Sequence, residues 1–203
     1  ILNHNLRGTY LSFISDNADM FFEYVDKISA EKVDGFDINP NDTLKRGHGV
    51  YGNFNIYLGS WALSTEYKRY AFDASHTDFT ADDYGNRINF QQMPTVAKEH
   101  NDALLGRLVH NYNYNDERGI QFEINGSMGS LSLLAQYAHL SRNHTWQDTA
   151  RNNWVSQPID NYLPGSDPSS LPYLENYFET SGYSFNDRLF FKIGFGNNKE
   201  VLK

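Results

Sequence analysis

Histidines, a serine and carboxylates fall close together at several places in this chain, and each grouping implies a different chemistry. His100 and His110 with Glu99 offer imidazole and carboxylate donors suited to a divalent ion, but their spacing matches no known metal site, so no metal is expected. Hydrolysis needs a nucleophile or an activated water beside a histidine and a carboxylate. His76 with Asp73 and Asp78, and Ser141 with His139 and His144, are the local candidates. Neither carries a surrounding motif, so no catalytic residue is assigned and no enzymatic activity is expected. Asp34-Gly-Phe-Asp-Ile-Asn-Pro-Asn-Asp42 packs oxygen donors into a turn without the glycine placement or terminal glutamate of a calcium loop, and reads as a solvated acidic loop. No cofactor is implied.

The elements that must position these groups are strands. From His48 to Leu58, Val50, Gly52, Phe54, Ile56 and Leu58 alternate with Tyr51, Asn53, Asn55 and Tyr57, which is the period of an extended chain with one apolar face. Gly59-Ser60 supplies a tight turn, and Trp61, Leu63, Thr65 and Tyr67 resume the alternation to about Phe72. The same grammar predicts strands over 5–15 and 19–28 around Asp16-Asn17, over 119–126 and 131–141 around Ser127 to Ser130, and over 175–185 and 188–196 around Asn186-Asp187. Four hairpins give eight strands, and much longer links, 29–47, 73–118 and 142–174, join them. Pro40, Pro94, Pro158, Pro164, Pro168 and Pro172 all fall in those links, where no ladder donor is lost.

Strict alternation of short turns with long loops is the habit of transmembrane β-barrels, whose strands of about 9–11 residues are joined by short periplasmic turns and long outer loops. A soluble sandwich or barrel with decorated loops is the alternative. Composition narrows the choice of membrane architecture. No run approaches the ~18 apolar residues of a spanning helix, so a membrane-crossing chain of this kind must cross with strands. The 17 lysines and arginines are scattered within a net charge of −8, so the electrostatic footprint of nucleic-acid binding is missing. Cysteine is absent, which excludes a disulfide framework and thiol chemistry. The chain opens Ile-Leu-Asn-His without a signal pattern, so any leader lies upstream.

Placed on such a wall, Met20, Phe22, Tyr24, Phe54, Ile56, Leu63, Ile120, Phe122, Ile124, Leu131, Leu133, Leu189, Phe191 and Ile193 face hydrocarbon. No charge sits among them, as expected where a stranded Arg or Lys costs roughly 2–4 kcal/mol at the midplane. Glu23, Lys27, Asn53, Asn55, Ser64, Glu66, Lys68, Gln121, Glu123, Gln136, Arg188 and Lys192 face the lumen. The facing of 5–15 and 175–185 stays open, because both parities there mix apolar and polar residues. Trp61, Tyr57, Tyr67, Tyr70, Tyr137 and Tyr183 sit near strand ends, suiting either an interfacial belt or ordinary strand enrichment. With short turns in the periplasm both chain ends lie outside, and Gly196 to Lys203 reads as the start of another loop. The whole chain, 1–203, is therefore expected to be one segment of a barrel of ten or more strands.

Ile88-Asn-Phe-Gln-Gln-Met-Pro-Thr-Val-Ala-Lys-Glu-His100, Leu104-Leu-Gly-Arg107 and Asn115-Asp-Glu-Arg-Gly-Ile-Gln-Phe-Glu123, with Glu66-Tyr67-Lys68 in hairpin 48–72, resemble a Bacteroidetes-type family of outer-membrane β-barrels without an established function. The resemblance covers about half the chain and implies fold and location, not activity.

Two links invite function. In 73–118, Leu104, Leu105, Leu108 and Val109 interleave with Arg107 and His110, too apolar a mixture to wave in solvent. Either 94–118 folds back as a plug, with Lys98, Glu99, His100, Arg107, His110, Asp116, Glu117 and Arg118 pairing to Glu66 and Glu123, or it extends the wall by a strand pair or a short helix. Glu66, Lys68, Glu123 and Lys192 are the corresponding wall and lumen candidates. In 142–174, Trp146, Trp154, Tyr162 and Tyr173 suit stacking on sugars or packing on the loop's own rings. The expectation is a Gram-negative outer-membrane barrel serving as a pore or passive envelope component. Its partners would be the lipid bilayer and small polar solutes or glycans, with no nucleic acid and with oligomeric state open. Loop-mediated binding of a glycan or protein partner, by a membrane or soluble β-protein, is the alternative.

Overall fold

A computed structural model describes residues 2–31, 44–71, 110, 116–149 and 154–202. Among them the strands are β1 Leu2–Ile14, β2 Ala18–Glu31, β3 Leu44–Leu58, β4 Trp61–Ala71, β5 Asp116–Met128, β6 Leu131–Ser141, β7 His144–Asp148, β8 Trp154–Pro158, β9 Tyr173–Ser184 and β10 Leu189–Glu200. Eight of them form one antiparallel sheet in the order β1-β2-β3-β4-β5-β6-β9-β10, and β7 and β8 make a separate hairpin between β6 and β9. Every neighbour in the large sheet is the next of its strands along the chain, so the topology is up-and-down. The fold is all-β, and among the described residues no helix is long and apolar enough to cross a membrane.

Local chemistry explains the short turns. Gly59 and Gly129 open two-residue turns with φ of 62° and 64°, a left-handed conformation that glycine adopts without steric cost. The link from β9 to β10 holds Phe185, Asn186 and Asp187 at φ of 53°, 54° and 63°. Asn and Asp tolerate this region through local hydrogen bonding, whereas Phe185 is strained there.

Several strands run further than their sequence pattern suggests. β5 begins at Asp116, so Asp116, Glu117 and Arg118 belong to the wall and not to the preceding link. β10 continues to Glu200, so Gly196–Glu200, expected to start a loop, is strand. In both places charges that look like loop signals alternate between two faces, and Asp116, Glu117, Arg118 and Glu200 find partners there. Link 142–174 also contains β7–β8, which its sequence did not announce. Arg188 lies in the β9–β10 turn and not on a strand face.

The register settles which side chains share a face. Met20 pairs with Phe54, Ile56 with Leu63, Leu63 with Ile124, and Phe191 with Gly182, whose other neighbour is Leu131. This places all the expected apolar residues on one side of the sheet. Tyr10 opposite Glu23, and Glu175 opposite Ala138, resolve β1 and β9, the two strands whose facing their own patterns left open. The sheet is not closed: among the described residues β1 and β10 each pair along one edge only.

Candidate functional site

The apolar face changes character along every strand, at a boundary that steps across the sheet. Running from the short turns toward the long links, Leu11, Tyr24, Val50, Tyr67, Ile120, Tyr137, Phe178 and Phe195 give way to Arg7, Asp26, His48, Arg69, Arg118, His139, Asn176 and Asn197. Arg7 pairs with Asp26, Asp26 with His48, Arg69 with Arg118, and Asn176 with Asn197, while Arg69 stands opposite Val50, His139 opposite Ile120 and Asn176 opposite Tyr137, so these residues form a collar that steps two residues toward the short turns at each of those three junctions. Below it, Val50 to Leu58 spans about 26 Å of strand at ~3.3 Å per residue, and its outward residues are free of charge.

The described residues of 142–149 and 154–172 lie against the collar over β4, β5 and β6. The Arg69 guanidinium stacks 4.8 Å from the Tyr162 ring and its Nε donates to Asn143 Oδ1 at 3.2 Å. Tyr67 donates to the Tyr162 carbonyl at 2.8 Å, and Arg118 donates to the Asn161 carbonyl and, at 3.2 Å, to Ser141 Oγ. Asp116 Oδ1 accepts from the Asn143 amide at 2.8 Å and lies 2.9 Å from His144 Nδ1. His139 Nε2 meets the Gly165 carbonyl at 3.2 Å. The Ser141 hydroxyl thus serves Arg118 and the Gly165 amide. Among the described residues neither His139 nor His144 is hydrogen-bonded to that hydroxyl, and both imidazoles hold the segment down. Asp167 caps the Pro168–Ser170 turn by accepting from the Ser169 amide and hydroxyl, which lower its pKa.

The opposite face carries a charge node beside the long links. Glu117 is 1% exposed, and its carboxylate accepts from Lys68 Nζ and, at 3.2 Å, from Arg142 Nη1. His110 reaches the same carboxylate through Nε2 at 3.1 Å and Glu200 of β10 through Nδ1 at 2.7 Å. Tyr173 of β9 stacks 4.6 Å from the ring, so one histidine of the 73–118 link ties together β5, β9 and β10. Burial this deep is sustained by mutual pairing, since a lone buried charge costs several kcal/mol.

Toward the short turns the same face changes again. Tyr10, Phe21 and Tyr51 form a diagonal ladder across β1, β2 and β3, each ring centroid 6.2 Å from the next. Beside it the Asp19 carboxylate accepts from Asn55 at 2.6 Å and from Tyr57 at 2.5 Å. On β9 and β10, Lys192 pairs with Glu179 at 2.7 Å, and Tyr177 donates to Glu179 at 2.7 Å.

Of the residues that the sequence nominated, Glu66, Lys68, Glu123 and Lys192 lie on this polar face by register, and His110 contacts it. The sheet residues that His110 meets are Glu117 and Glu200. Trp146 and Tyr173 are buried, whereas Tyr162 is exposed over the collar. Lys98, Glu99, His100, Arg107, His76, Asp73, Asp78, the Asp34–Asp42 turn and the Trp154 side chain lie outside the described residues. Sequence reasoning missed Arg142, Glu200 and the clasp on Asp116. The available signal was that period-2 alternation continues through Glu117, Gly119, Gln121 and Glu123 without a break.

No family model matches this chain, and no curated protein or solved structure matches it.

Proposed function

We propose that the chain forms part of the wall of a β-barrel in a Gram-negative outer membrane, with the apolar face toward lipid and the polar face toward a lumen. In this reading it serves as a pore or passive envelope component. The observation that carries the reading is that every strand turns from apolar to polar at a boundary that steps in one direction across the sheet. Strands tilted ~35–45° cross a flat bilayer interface at staggered registers, so such an interface imposes a boundary stepped in one sense, whereas a second protein layer has no reason to do so. The apolar stretch, about 26 Å along β3, rises about 20 Å at the ~40° tilt of such strands, against the ~25 Å height of such bands. Resemblance to a Bacteroidetes-type barrel family supports the same location.

Brominated lipids test it. Trp61 stands at the short-turn end of the apolar face and Trp146 is buried behind the collar. A Phe122→Trp variant of a chain whose other tryptophans are replaced by Phe should be quenched most by bromines near the bilayer centre. A chain retaining only Trp61 should be quenched most by shallow bromines, and one retaining only Trp146 should be unaffected. Stable solution without detergent, together with no quenching at position 122, rejects the reading.

Glycan binding is favoured by the ring ladder of Tyr10, Phe21 and Tyr51, with the Asp19, Asn55 and Tyr57 cluster beside it, because sugars stack their faces on rings and bond their hydroxyls sideways. Tyr162 is the exposed ring of the link to which this reading also looks. Calorimetric titration with neutral oligosaccharides separates the readings: binding abolished by Tyr10→Ala with no channel activity selects the second.

A further inference from the structure

We propose that the collar holds a docking surface for the phosphate of an anionic lipid headgroup, made by Arg69 of β4 and supported by Arg118 of β5; the inference rests on the reading of the apolar face as lipid-facing. The two arginines stand directly opposite each other in register on that face. Like charges so placed destabilise a sheet unless something answers them both. The rest of the collar poses no such problem. Arg7, Asp26 and His48 follow one another across β1, β2 and β3, His139 meets the Gly165 carbonyl, and Asn176 faces Asn197 on β9 and β10. Within the collar, β4 and β5 alone set two permanent cations side by side.

The protein answers these charges with neutral groups. Arg69 Nε donates to Asn143 Oδ1, and Arg118 donates to Ser141 Oγ and the Asn161 carbonyl. Among the described residues no carboxylate forms an ion pair with either guanidinium. The acid next along β5 on the same face, Asp116, is engaged by the Asn143 amide and His144. A guanidinium carries five N–H donors in one plane, so stacking on Tyr162 covers a flat side of Arg69 and leaves its edge. There both Nη groups are without a protein acceptor among the described residues. Arg118 Nη2, buried beneath the covering segment, is without one as well. Arg69 is half-buried and Arg118 fully buried, so Arg69 makes the contact and Arg118 adds its field. Position selects the anion. The pair lies where the face turns from apolar to polar, the depth at which a bilayer presents its phosphates, and two phosphate oxygens match the guanidinium fork. Tyr162 and Leu163, both exposed, adjoin Arg69 and suit the boundary between headgroups and acyl chains.

The test uses the full chain in phosphatidylcholine vesicles, with its tryptophans replaced by Phe and Leu163→Trp as the reporter; heat-modifiable migration on gels checks that each variant folds. Phosphatidic acid brominated near the headgroup should quench this tryptophan at about one tenth of the mole fraction that equally brominated phosphatidylcholine requires, the worth of one charge-assisted hydrogen bond. Arg69→Gln should abolish the difference. Arg69→Lys, which keeps the charge and loses the fork, should retain part of it, and Tyr162→Leu, which loosens the segment and leaves the charge, should retain most. Equal quenching by the two lipids, or a preference unmoved in Arg69→Gln, overturns the inference. Release of the quenching lipid by millimolar glycerol phosphate overturns it too, in favour of a soluble phosphate compound. In each of these cases quenching of Phe122→Trp by bromines near the bilayer centre leaves the lipid-facing reading standing. Absence of quenching at both positions overturns both.

Discussion

Tyr10 on β1 and Glu117 on β5 occupy the same face of the same sheet, yet Tyr10 is 72% exposed and Glu117 is 1% exposed. Around Glu117 the chain supplies everything a buried charge requires: a lysine from β4, an arginine following β6 and a histidine from the long link. Around Tyr10 it supplies a ring from β2 and an open edge. One part of the face is built on mutual electrostatic satisfaction, the other on side chains that tolerate either water or contact. The contrast teaches that alternation fixes which side a residue faces, while cover from other segments decides what chemistry that side can hold.

The sharpest way to break the contrast is to remove the carboxylate at its centre. Glu117→Ala leaves Lys68 and Arg142 without their shared counter-charge and should cost about 3–5 kcal/mol in urea unfolding from detergent. Glu23→Ala, on the less buried part of the face, should stay within about 0.5 kcal/mol. Equal losses would erase the distinction between the two regions. Turning to the other side of the sheet, Ile124→Arg should cost roughly 2–4 kcal/mol of folding free energy in lipid vesicles, against little for Ser64→Arg on the polar face. If Ile124→Arg folds as well as the parent chain, the apolar face does not meet hydrocarbon.

Alternation made both faces legible before any coordinates. Each residue of Val50 to Leu58 and of Gly119 to Ile124 reads correctly, because a strand's period is fixed by backbone geometry and needs no knowledge of neighbours. The ends of strands were harder. Asp116-Glu117-Arg118 looks like a loop because charge usually means solvent, and only the partners brought by Asn143, His144, Lys68 and Arg142 make it wall. Those partners come from elsewhere in the chain, and spacing along β5 carries no trace of them. The collar was not read from the sequence, since Arg118 was assigned to a link and Arg7 and Asn176 stand on strands whose facing stayed open. Its covering segment was not either, since Asn143, Asn161 and Gly165 engage it mainly through backbone and amide groups that any loop possesses.

Smaller effects sharpen the comparison at the collar. Arg69→Ala loses the stack on Tyr162 and the bond to Asn143, and should cost about 1–2 kcal/mol and speed amide exchange in 142–165. Arg7→Ala, in the same collar on the exposed β1, should leave exchange there unchanged. Slightest of all is the cap on the Pro168–Ser170 turn. Its Ser169 bonds lower the Asp167 pKa, so the stabilisation is complete above the ordinary aspartate range and is lost as pH falls through the lowered value. Proteolysis within 165–171 should therefore rise on acidification below about pH 4, where an unperturbed aspartate begins to protonate, and Asp167→Asn should flatten that response. A flat profile in the native chain would remove the cap from the account.

Among the described residues β1 and β10 each leave one row of backbone N–H and C=O groups unpaired, and both strands carry large apolar side chains, Leu11 and Phe13 on one, Ile193 and Phe195 on the other. Such margins zip onto the first compatible strand they encounter, whether or not it belongs to the finished assembly. Refolding yield should accordingly fall with protein concentration and recover when lipid is present before the denaturant is diluted. If the proposed membrane reading holds, order of addition, more than temperature or salt, governs whether this polypeptide inserts or forms a fibrous precipitate.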